Sequence, residues 1–166
     1  MRLNKAFNFR IYPNEEQIIL INKTFGCCRF IYNKMLGDKI SYYQETKQKL
    51  NNTPAQYKQE FEFLKEVDCQ ALCYEQMYLQ TTYNNFFRSP NVGFPKFKSK
   101  KFSKRSYSTS YVSIVNGKLK LGKLGIVVCK FHRHIPLGYV IKSATISQKS
   151  SGKYYISILT EYNYEI

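Results

Sequence analysis

The chain has 166 residues, of which 43% are hydrophobic and 16% aromatic, and it carries a formal net charge of +15 at pH 7. This hydrophobic content is too high for a disordered chain, and the basic excess favours a polyanionic partner, nucleic acid before a membrane surface. No secretory signal precedes Lys5 and no apolar run approaches the roughly 20 residues that cross a bilayer, so we expect a cytoplasmic protein without a membrane partner.

The five cysteines lack the spacing of a disulfide or metal framework. Cys27 and Cys28 are adjacent, Cys69 and Cys73 are one helical turn apart, and Cys129 stands alone. An odd number without paired CxxC spacing argues against disulfides and a structural zinc ion, so we predict no metal and no cofactor. One tetrahedral set can be drawn, although its ligand pairs lack the tight turns that zinc sites use: Cys69, Cys73, His132 and His134.

A half-buried strand is predicted at the start of the chain. From Lys5 to Tyr12 the residues alternate, and Phe7, Phe9 and Ile11 fall on one side of the strand. Pro13 then ends it, because proline cannot continue the backbone hydrogen bonding of a strand.

A long helix is predicted from about Asn14 to about Glu45. Asn14 is suited to cap the helix, and Glu15 and Glu16 place negative charge in its first turn. The apolar residues then step by three and four without a break through Gly26, whereas a helix-turn-helix would place its turn near that glycine and reset the phase. The face predicted to be buried consists of Ile18, Ile21, Phe25, Cys28, Tyr32 and Met35.

Two shorter helices are predicted next. The segment TPAQ at 53–56 has the arrangement of a capping box with proline at the first helical position, which predicts a short helix to about Leu64. Asp68 is suited to cap a third helix, which keeps helical spacing to Phe87 and Arg88. We expect the helices to form a compact antiparallel bundle.

A basic and aromatic segment, GFPKFKSKKFSKRSY, spans residues 93–107 and contains no acidic residue. Its cations are spaced to neutralise successive phosphates, and its rings are suited either to anchor the segment or to stack on unpaired bases. The alternative is a solvated linker whose rings pack on its own protein. The cations are Lys96, Lys98, Lys100, Lys101, Lys104 and Arg105, and the rings are Phe94, Phe97, Phe102 and Tyr107.

Beyond the basic segment the hydrophobic period changes to two, which predicts an antiparallel sheet. Asn116 and Gly117 indicate a tight hairpin between strands at 111–115 and 118–121. The strand at 5–12 would be orphaned beside helices, so we expect it to join this sheet, with the helical part inserted between them. Further strands are predicted at 126–131, 139–148 and 153–161.

Several segments, in their order and spacing, resemble the amino-terminal part of the TnpB family, also called OrfB, which is related to the type V CRISPR effectors. The resemblance covers essentially the whole chain, and VGFPKFKSKK is far more specific than any basic run by itself. The segments are KAFNFRIYPNEEQIILINKTFGCCRFIYN, LKEVD with Gln70-Ala71-Leu72, NNFFR, VGFPKFKSKK, Ser106-Tyr107, NGKLKLGKLG, IKSATIS and SGKYYISIL.

The resemblance implies a transposon-encoded, RNA-guided DNA endonuclease family whose first segment is also labelled a helix-turn-helix region. Its implied fold class is α+β, with a small antiparallel β-barrel of the oligonucleotide-binding type interrupted by an inserted helical bundle. The implied partners are a structured guide RNA and double-stranded DNA. The implied domains are a first wedge strand at 1–13, recognition helices at 14–90, a basic linker at 91–105 and the rest of the wedge barrel at 106–166.

By resemblance, RNA and backbone contacts fall on the cations of the basic segment and on a few residues outside it. The amides of Asn52, Gln56 and Gln70 are suited to bond base edges, although Thr53 and Gln56 are also suited to capping. Contacts are expected at Lys96, Lys98, Lys100, Lys101, Lys104, Arg105, Tyr107, Arg10 and Arg29, with Lys5, His132, Arg133 and His134 as second candidates. The positions matching the family's reader of a target-adjacent DNA motif are Asn52, Thr53, Gln56, Cys69, Gln70 and Cys73.

The chain departs from the family pattern in its carboxylates. Two-metal cleavage of phosphodiesters needs several carboxylates around divalent ions, whereas the only aspartates here are Asp38 and Asp68. We therefore expect no catalytic residue and a part that binds nucleic acid without the nuclease domain. A stand-alone RNA-guided regulator, the binding half of a split nuclease with a separate nuclease chain, and a ribosome-associated basic protein are the alternatives.

Overall fold

The computed structural model describes residues 1–101 and 103–165, without the side chain of Pro90. Phe102, one of the four rings predicted in the basic segment, therefore lies outside the described residues. The structure is α+β and divides into two compact units, one formed by Met1–Asn22 with Lys104–Ile166 and the other by Lys23–Ser103. Within the described residues, no helix combines the length and the apolar character that a bilayer span requires.

The first unit contains an antiparallel sheet of seven strands in the order β2-β6-β7-β1-β5-β4-β3. The first strand lies between the last strand, along which it pairs from Arg2 opposite Asn163 to Ile11 opposite Tyr154, and the fifth strand. This confirms the prediction that the first strand joins the later sheet. The strands are β1 Arg2–Tyr12, β2 Ser106–Thr109, β3 Val112–Val115, β4 Lys118–Leu121, β5 Gly125–Lys130, β6 Val140–Gln148 and β7 Tyr154–Asn163.

This sheet is strongly curled, as its connections require. The strands β2 and β3 stand at opposite ends of the hydrogen-bonding order, yet only Ser110 and Tyr111 separate them in the chain. A flat sheet of seven strands would put its edges about 29 Å apart, whereas the connection from Thr109 to Val112 reaches at most about 11 Å. Both edges therefore come close together, and β3 accordingly lies near β6.

The predicted hairpin is confirmed by its turn. Val115 pairs with Lys118, and the two turn residues Asn116 and Gly117 have φ angles of 52° and 74°. Positive φ at both central residues is the conformation that matches the twist of the flanking strands.

The strand β2 was missed in the sequence, because its four residues SYST directly follow the basic segment and carry no strong apolar alternation.

The long helix is also confirmed, as α1 Glu15–Thr46, which is unbroken at Gly26. Its start is capped reciprocally: the Gln17 N–H donates to Asn14 Oδ1 and the Asn14 N–H to Gln17 Oε1, each at 2.9 Å. The amide nitrogen of Gln17 also donates to the carbonyl oxygens of Leu124 at 3.0 Å and Ile126 at 2.8 Å. One buried glutamine thus holds the beginning of α1 against the β4–β5 region.

In the second unit the third predicted helix is found as α2 Cys69–Arg88, with Asp68 accepting from the Gln70 N–H at 2.8 Å. The short α-helix predicted from Thr53 to Leu64 is wrong. Two 3-10 helices, Pro54–Tyr57 and Glu62–Glu66, take its place, because the backbone leaves helical geometry at Phe61, where φ is −119° and ψ is 79°. The break places the ring of Phe61 against that of Phe30 at 4.8 Å.

Gly26 provides a test of the helix. A Cβ added at Gly26 meets no atom within 4 Å, so the Gly26→Ala variant should raise the free energy of unfolding by about 0.5–1 kcal/mol through helix propensity. The control is Gly117→Ala, which should be destabilised because φ is +74° there. Urea unfolding followed by circular dichroism would measure both, and a Gly26→Ala variant less stable than the wild type would contradict an open site.

Candidate nucleic-acid interface

The basic segment is held in place by the side chain of Asn33 on α1. The backbone N–H of Lys98 donates to Asn33 Oδ1 at 2.7 Å, and Asn33 Nδ2 donates to the Lys98 carbonyl oxygen at 2.8 Å. A single side-chain amide thus satisfies both backbone groups of one residue, as a neighbouring strand would. A turn with Ser103 N–H donating to the Ser99 carbonyl at 3.0 Å follows.

The ammonium group of Lys98 is also used within the protein. Its Nζ lies 3.5 Å from Glu75 Oε2 and 4.1 Å from the centre of the Tyr32 ring. The Glu75 side chain is only 5% exposed. Burying a carboxylate is costly unless it is paired, so Lys98 compensates a buried charge. The prediction that Lys98 contacts phosphate is therefore disfavoured, because this cation anchors the segment.

Burial raises the pKa of Glu75, and the nearby Lys98 lowers it in part. When the pKa of an acid is higher in the folded than in the unfolded state, the folded state binds the proton more tightly. The contribution of Glu75 to stability is therefore greatest below its ordinary pKa and decreases as the pH rises through the raised value. The Lys98 ammonium limits this loss but does not cancel it.

The rings of the basic segment divide into anchors and exposed groups. The ring of Phe94 meets those of Tyr83 and Phe86 edge-on, with both centroids at 5.4 Å. Tyr107 is buried in β2 at 5% exposure, so its ring packs in the sheet core and is not available to stack on a base. Phe97 remains 58% exposed.

The remaining cations of the basic segment lie at the surface. Arg105 is exposed and its guanidinium donates to Gln148 Oε1 at 3.0 Å, across the pairing of β2 with β6. The boundary between the two compact units falls inside the segment, after Ser103. The exposed lysines are Lys96, Lys100, Lys101 and Lys104.

The other predicted contacts are spread over both units. The Arg10 guanidinium stacks over the Tyr12 ring at 4.7 Å, and its buried Nε has no hydrogen-bond partner among the described residues. Arg29 is half-buried on α1. Two second candidates lie against the Phe7 ring, Arg133 at 4.7 Å and Lys5 Nζ at 5.2 Å from its centre. The ring of His132 lies 5.2 Å from that of Phe9, and His134 is exposed.

The predicted motif readers are not equally accessible. Asn52 is buried, and its amide nitrogen donates to the Met35 carbonyl at 3.2 Å and to the Tyr57 hydroxyl oxygen at 2.8 Å. Asn52 is therefore a poor candidate for reading base edges, and its prediction is corrected. Gln56 accepts from the Thr53 N–H at 3.0 Å, which is the capping arrangement.

Two motif candidates remain near the start of α2. Gln70 is half-exposed and Cys73 is exposed, whereas Cys69 is partly covered.

Over residues 1–101 and 103–165, no group of three or more His, Cys, Asp and Glu side chains is arranged to hold a metal ion.

Asn33 and Glu75 were missed as site residues. Glu75 follows Leu72 by three positions and precedes Leu79 by four, so the sequence places a carboxylate on the buried face of the predicted helix. A carboxylate on a buried face indicates that a basic side chain lies beside it, and in the structure that side chain is Lys98. Asn33 gave no comparable signal, because an asparagine on the polar side of a helix is common.

The chain is similar to known proteins over nearly its whole length. A family model described as a helix-turn-helix domain, of the OrfB and IS605 type, matches residues 1–48. A Streptomyces pristinaespiralis protein named "Putative RNA-guided DNA endonuclease" is 32% identical over 170 residues, a match that covers 96% of this chain and 42% of that protein. The chain belongs to the TnpB/OrfB family. An Escherichia coli K12 protein of this family, "Putative RNA-guided DNA endonuclease InsQ", is 29% identical, with 97% of this chain and 41% of its own length covered.

The chain thus spans about two fifths of the length of these TnpB/OrfB relatives. The residues matched by the helix-turn-helix family model contain β1 and the whole of α1. In this structure that region is one strand and one unbroken helix.

Loss of the Asn33 amide should release the basic segment. We expect the Asn33→Ala variant to lose about 1–3 kcal/mol of local docking free energy with its two hydrogen bonds, and therefore to be cleaved faster by trypsin in the stretch around Lys96–Lys101. Asn22→Ala, an exposed asparagine on the same helix, is the matched control. Equal cleavage rates in the two variants would show that Asn33 does not hold the segment.

The buried carboxylate should also leave a signature in the pH dependence of stability. Because burial raises the pKa of Glu75 above its ordinary value of 4.5, the wild type should lose stability relative to Glu75→Gln as the pH rises from that value toward neutrality. Urea midpoints of both proteins over this range would measure the difference. A gap that stays constant with pH, or one that changes in the opposite direction, would contradict the raised pKa.

Proposed function

We propose that this part of a TnpB/OrfB protein binds a structured guide RNA and double-stranded DNA, with the exposed cations of the basic segment contacting phosphates. The observation that carries the proposal is the fixed backbone at Lys98, beside which Lys96, Lys100 and Lys101 stay exposed. Cations on an ordered segment lose less conformational entropy on binding than cations on a mobile tail. Lys104 and Arg105 extend the same run.

The sheet supports the oligonucleotide-binding type of barrel as the wedge of this protein. Its strands curl until the edges approach, and the helical unit interrupts the chain between β1 and β2. Barrels of this type bind nucleic acid on the outer face of their strands and in the adjoining loops. On that proposal Arg10, whose guanidinium already stacks on an aromatic ring, is a further contact.

Recognition of a target-adjacent DNA motif is proposed for the region at the start of α2. Gln70 and Cys73 remain accessible there, and Gln56 lies on the preceding 3-10 helix. A glutamine amide is suited to a bidentate contact with adenine. The buried Asn52 is excluded from this set.

Strand cleavage is not part of the proposal for these residues. We assign recognition to this part and cleavage to carboxylates outside it, whether they belong to the same protein or to a separate chain. A regulator that occupies DNA without cutting it is compatible with the same binding surface. Magnesium-dependent nicking of DNA by the 166-residue chain would contradict this division.

Salt-dependent RNA binding tests the proposal. The triple variant Lys96→Gln, Lys100→Gln and Lys101→Gln should bind structured RNA more weakly and reduce the slope of log K against log salt by about 2–3, since each phosphate contact contributes about 0.7–0.9. The matched control changes three accessible lysines of the helical unit outside the basic segment, Lys23, Lys58 and Lys65. Fluorescence anisotropy at several salt concentrations measures both slopes.

Lys98 separates the two roles of the segment. We expect the Lys98→Gln variant to lose stability, because Glu75 is left buried without its cation, and to keep most of the salt slope of RNA binding. Equal effects of the triple variant and its control on the salt slope would overturn the proposed surface. A chain that binds no structured RNA at low salt would overturn the function itself.

A further inference from the structure

An apolar cavity of about 480 Å³ opens in the Lys23–Ser103 unit, among residues from the end of α1, the end of α2 and the start of the basic segment. Its volume falls in the range of sites that bind small organic molecules. Aromatic side chains form much of its wall, and the Leu50 and Ile40 side chains add aliphatic surface. The rings are Tyr43, Tyr83, Phe86, Phe87 and Phe94.

The rings form an ordered wall, part of which faces solvent. Phe94 packs edge-on against Tyr83 and Phe86, and the Tyr83 and Phe87 rings stack at 6.1 Å with an interplanar angle of 23°. Phe87 is nevertheless 66% exposed and Tyr43 is 56% exposed. Leaving large rings in water is unfavourable, so an exposed aromatic cluster of this kind marks a binding site.

The charge around the cavity is positive. Lys39 and Lys49 line it and no acidic residue does, within the described part of the chain. The Nζ of Lys39 donates to the Leu50 carbonyl at 2.8 Å, and Lys47 Nζ lies 5.7 Å from the Tyr43 ring. The ligand should therefore combine a flat apolar surface with negative charge, which excludes a basic or neutral amphipathic peptide as the best fit.

We propose that this cavity takes an unpaired nucleobase of the bound RNA, stacked on Phe87 and Tyr43, with the adjoining phosphate at Lys47 and Lys49. The inference rests on the proposed function, since it places one base of the same RNA. Phe94 links the cavity to the basic segment, because it lines the cavity and lies two residues before Lys96 in the chain. Single-stranded bases bind proteins in this way, by stacking on aromatic rings beside cations that hold the backbone.

The test uses a short single-stranded RNA that carries 2-aminopurine between two abasic positions, so that its fluorescence starts high and falls when the base stacks on a protein ring. The wild type should quench this fluorescence, and it should leave 2-aminopurine within an RNA duplex unchanged. Phe87→Ala should lose the quenching and bind the single strand about tenfold more weakly. Phe87→Tyr should keep both properties, because it retains a stacking ring.

Three further variants keep the result specific. Phe63→Ala removes a ring of the same unit that is 44% exposed and lies outside the cavity wall, and it should quench like the wild type. Tyr43→Ala repeats the test at a second wall residue if Phe87→Ala proves unfolded by circular dichroism. Phe87→Leu keeps apolar surface without a ring and should lose the quenching.

The outcomes distinguish this inference from the proposed function. Salt-dependent RNA binding with quenching that survives both Phe87→Ala and Tyr43→Ala overturns the nucleobase site and leaves the basic segment as the RNA surface. If Phe87→Leu quenches the fluorescence and binds the RNA as well as the wild type, the nucleobase site is also overturned. The cavity would then need only apolar contact, which a protein segment could equally provide. Absence of all RNA binding overturns the proposed function, and this site with it.

Discussion

The arrangement of the basic segment depends on one amide group. Asn33 bonds both backbone groups of Lys98, so a segment with no regular secondary structure at that point has a defined path. The ion pair between Lys98 and the buried Glu75 then secures the same residue through its side chain. Burial raises the pKa of Glu75, because the Lys98 cation compensates the cost of burying the carboxylate only in part. Order in this cationic segment thus depends on a buried carboxylate, while the neighbouring lysines stay at the surface.

The basic segment contains both packed and exposed residues, so the anchored-linker interpretation describes the first group and the proposed phosphate-binding surface concerns only the second. Lys98, Phe94 and Tyr107 pack against the protein, whereas Lys96 and Lys100 lie at the surface. Anchors and exposed cations alternate closely enough that the anchors limit the freedom of the exposed groups. The aromatic content of the chain has the same double character, since Phe94 is both part of the packing against α2 and part of an open cavity wall.

The sequence was a good guide to elements that local patterns determine. The unbroken phase through Gly26 predicted α1, and the Asn116-Gly117 pair predicted the hairpin, because both signals depend on residues close in the chain. The break at Phe61, the short strand β2 and the burial of Asn52 were not predicted, since each depends on contacts with residues far along the sequence or on a backbone geometry without a sequence signature. The candidate site shows the same division: the cations could be found by composition, and the Asn33 contact that orders them could not.

The pairing of β1 with β7 has a consequence for how the protein is made. Within this sheet the strand that is synthesised first pairs with the one that is synthesised last, so Phe7, Phe9 and Ile11 remain without their final neighbours until β7 has been made. Contacts between residues so distant in sequence form slowly, whereas the helices can form from local contacts. During this interval β1 presents an apolar edge that invites aggregation or capture by chaperones. Yield in the cell is therefore expected to be limited by closure of the sheet, well after the helical residues have folded.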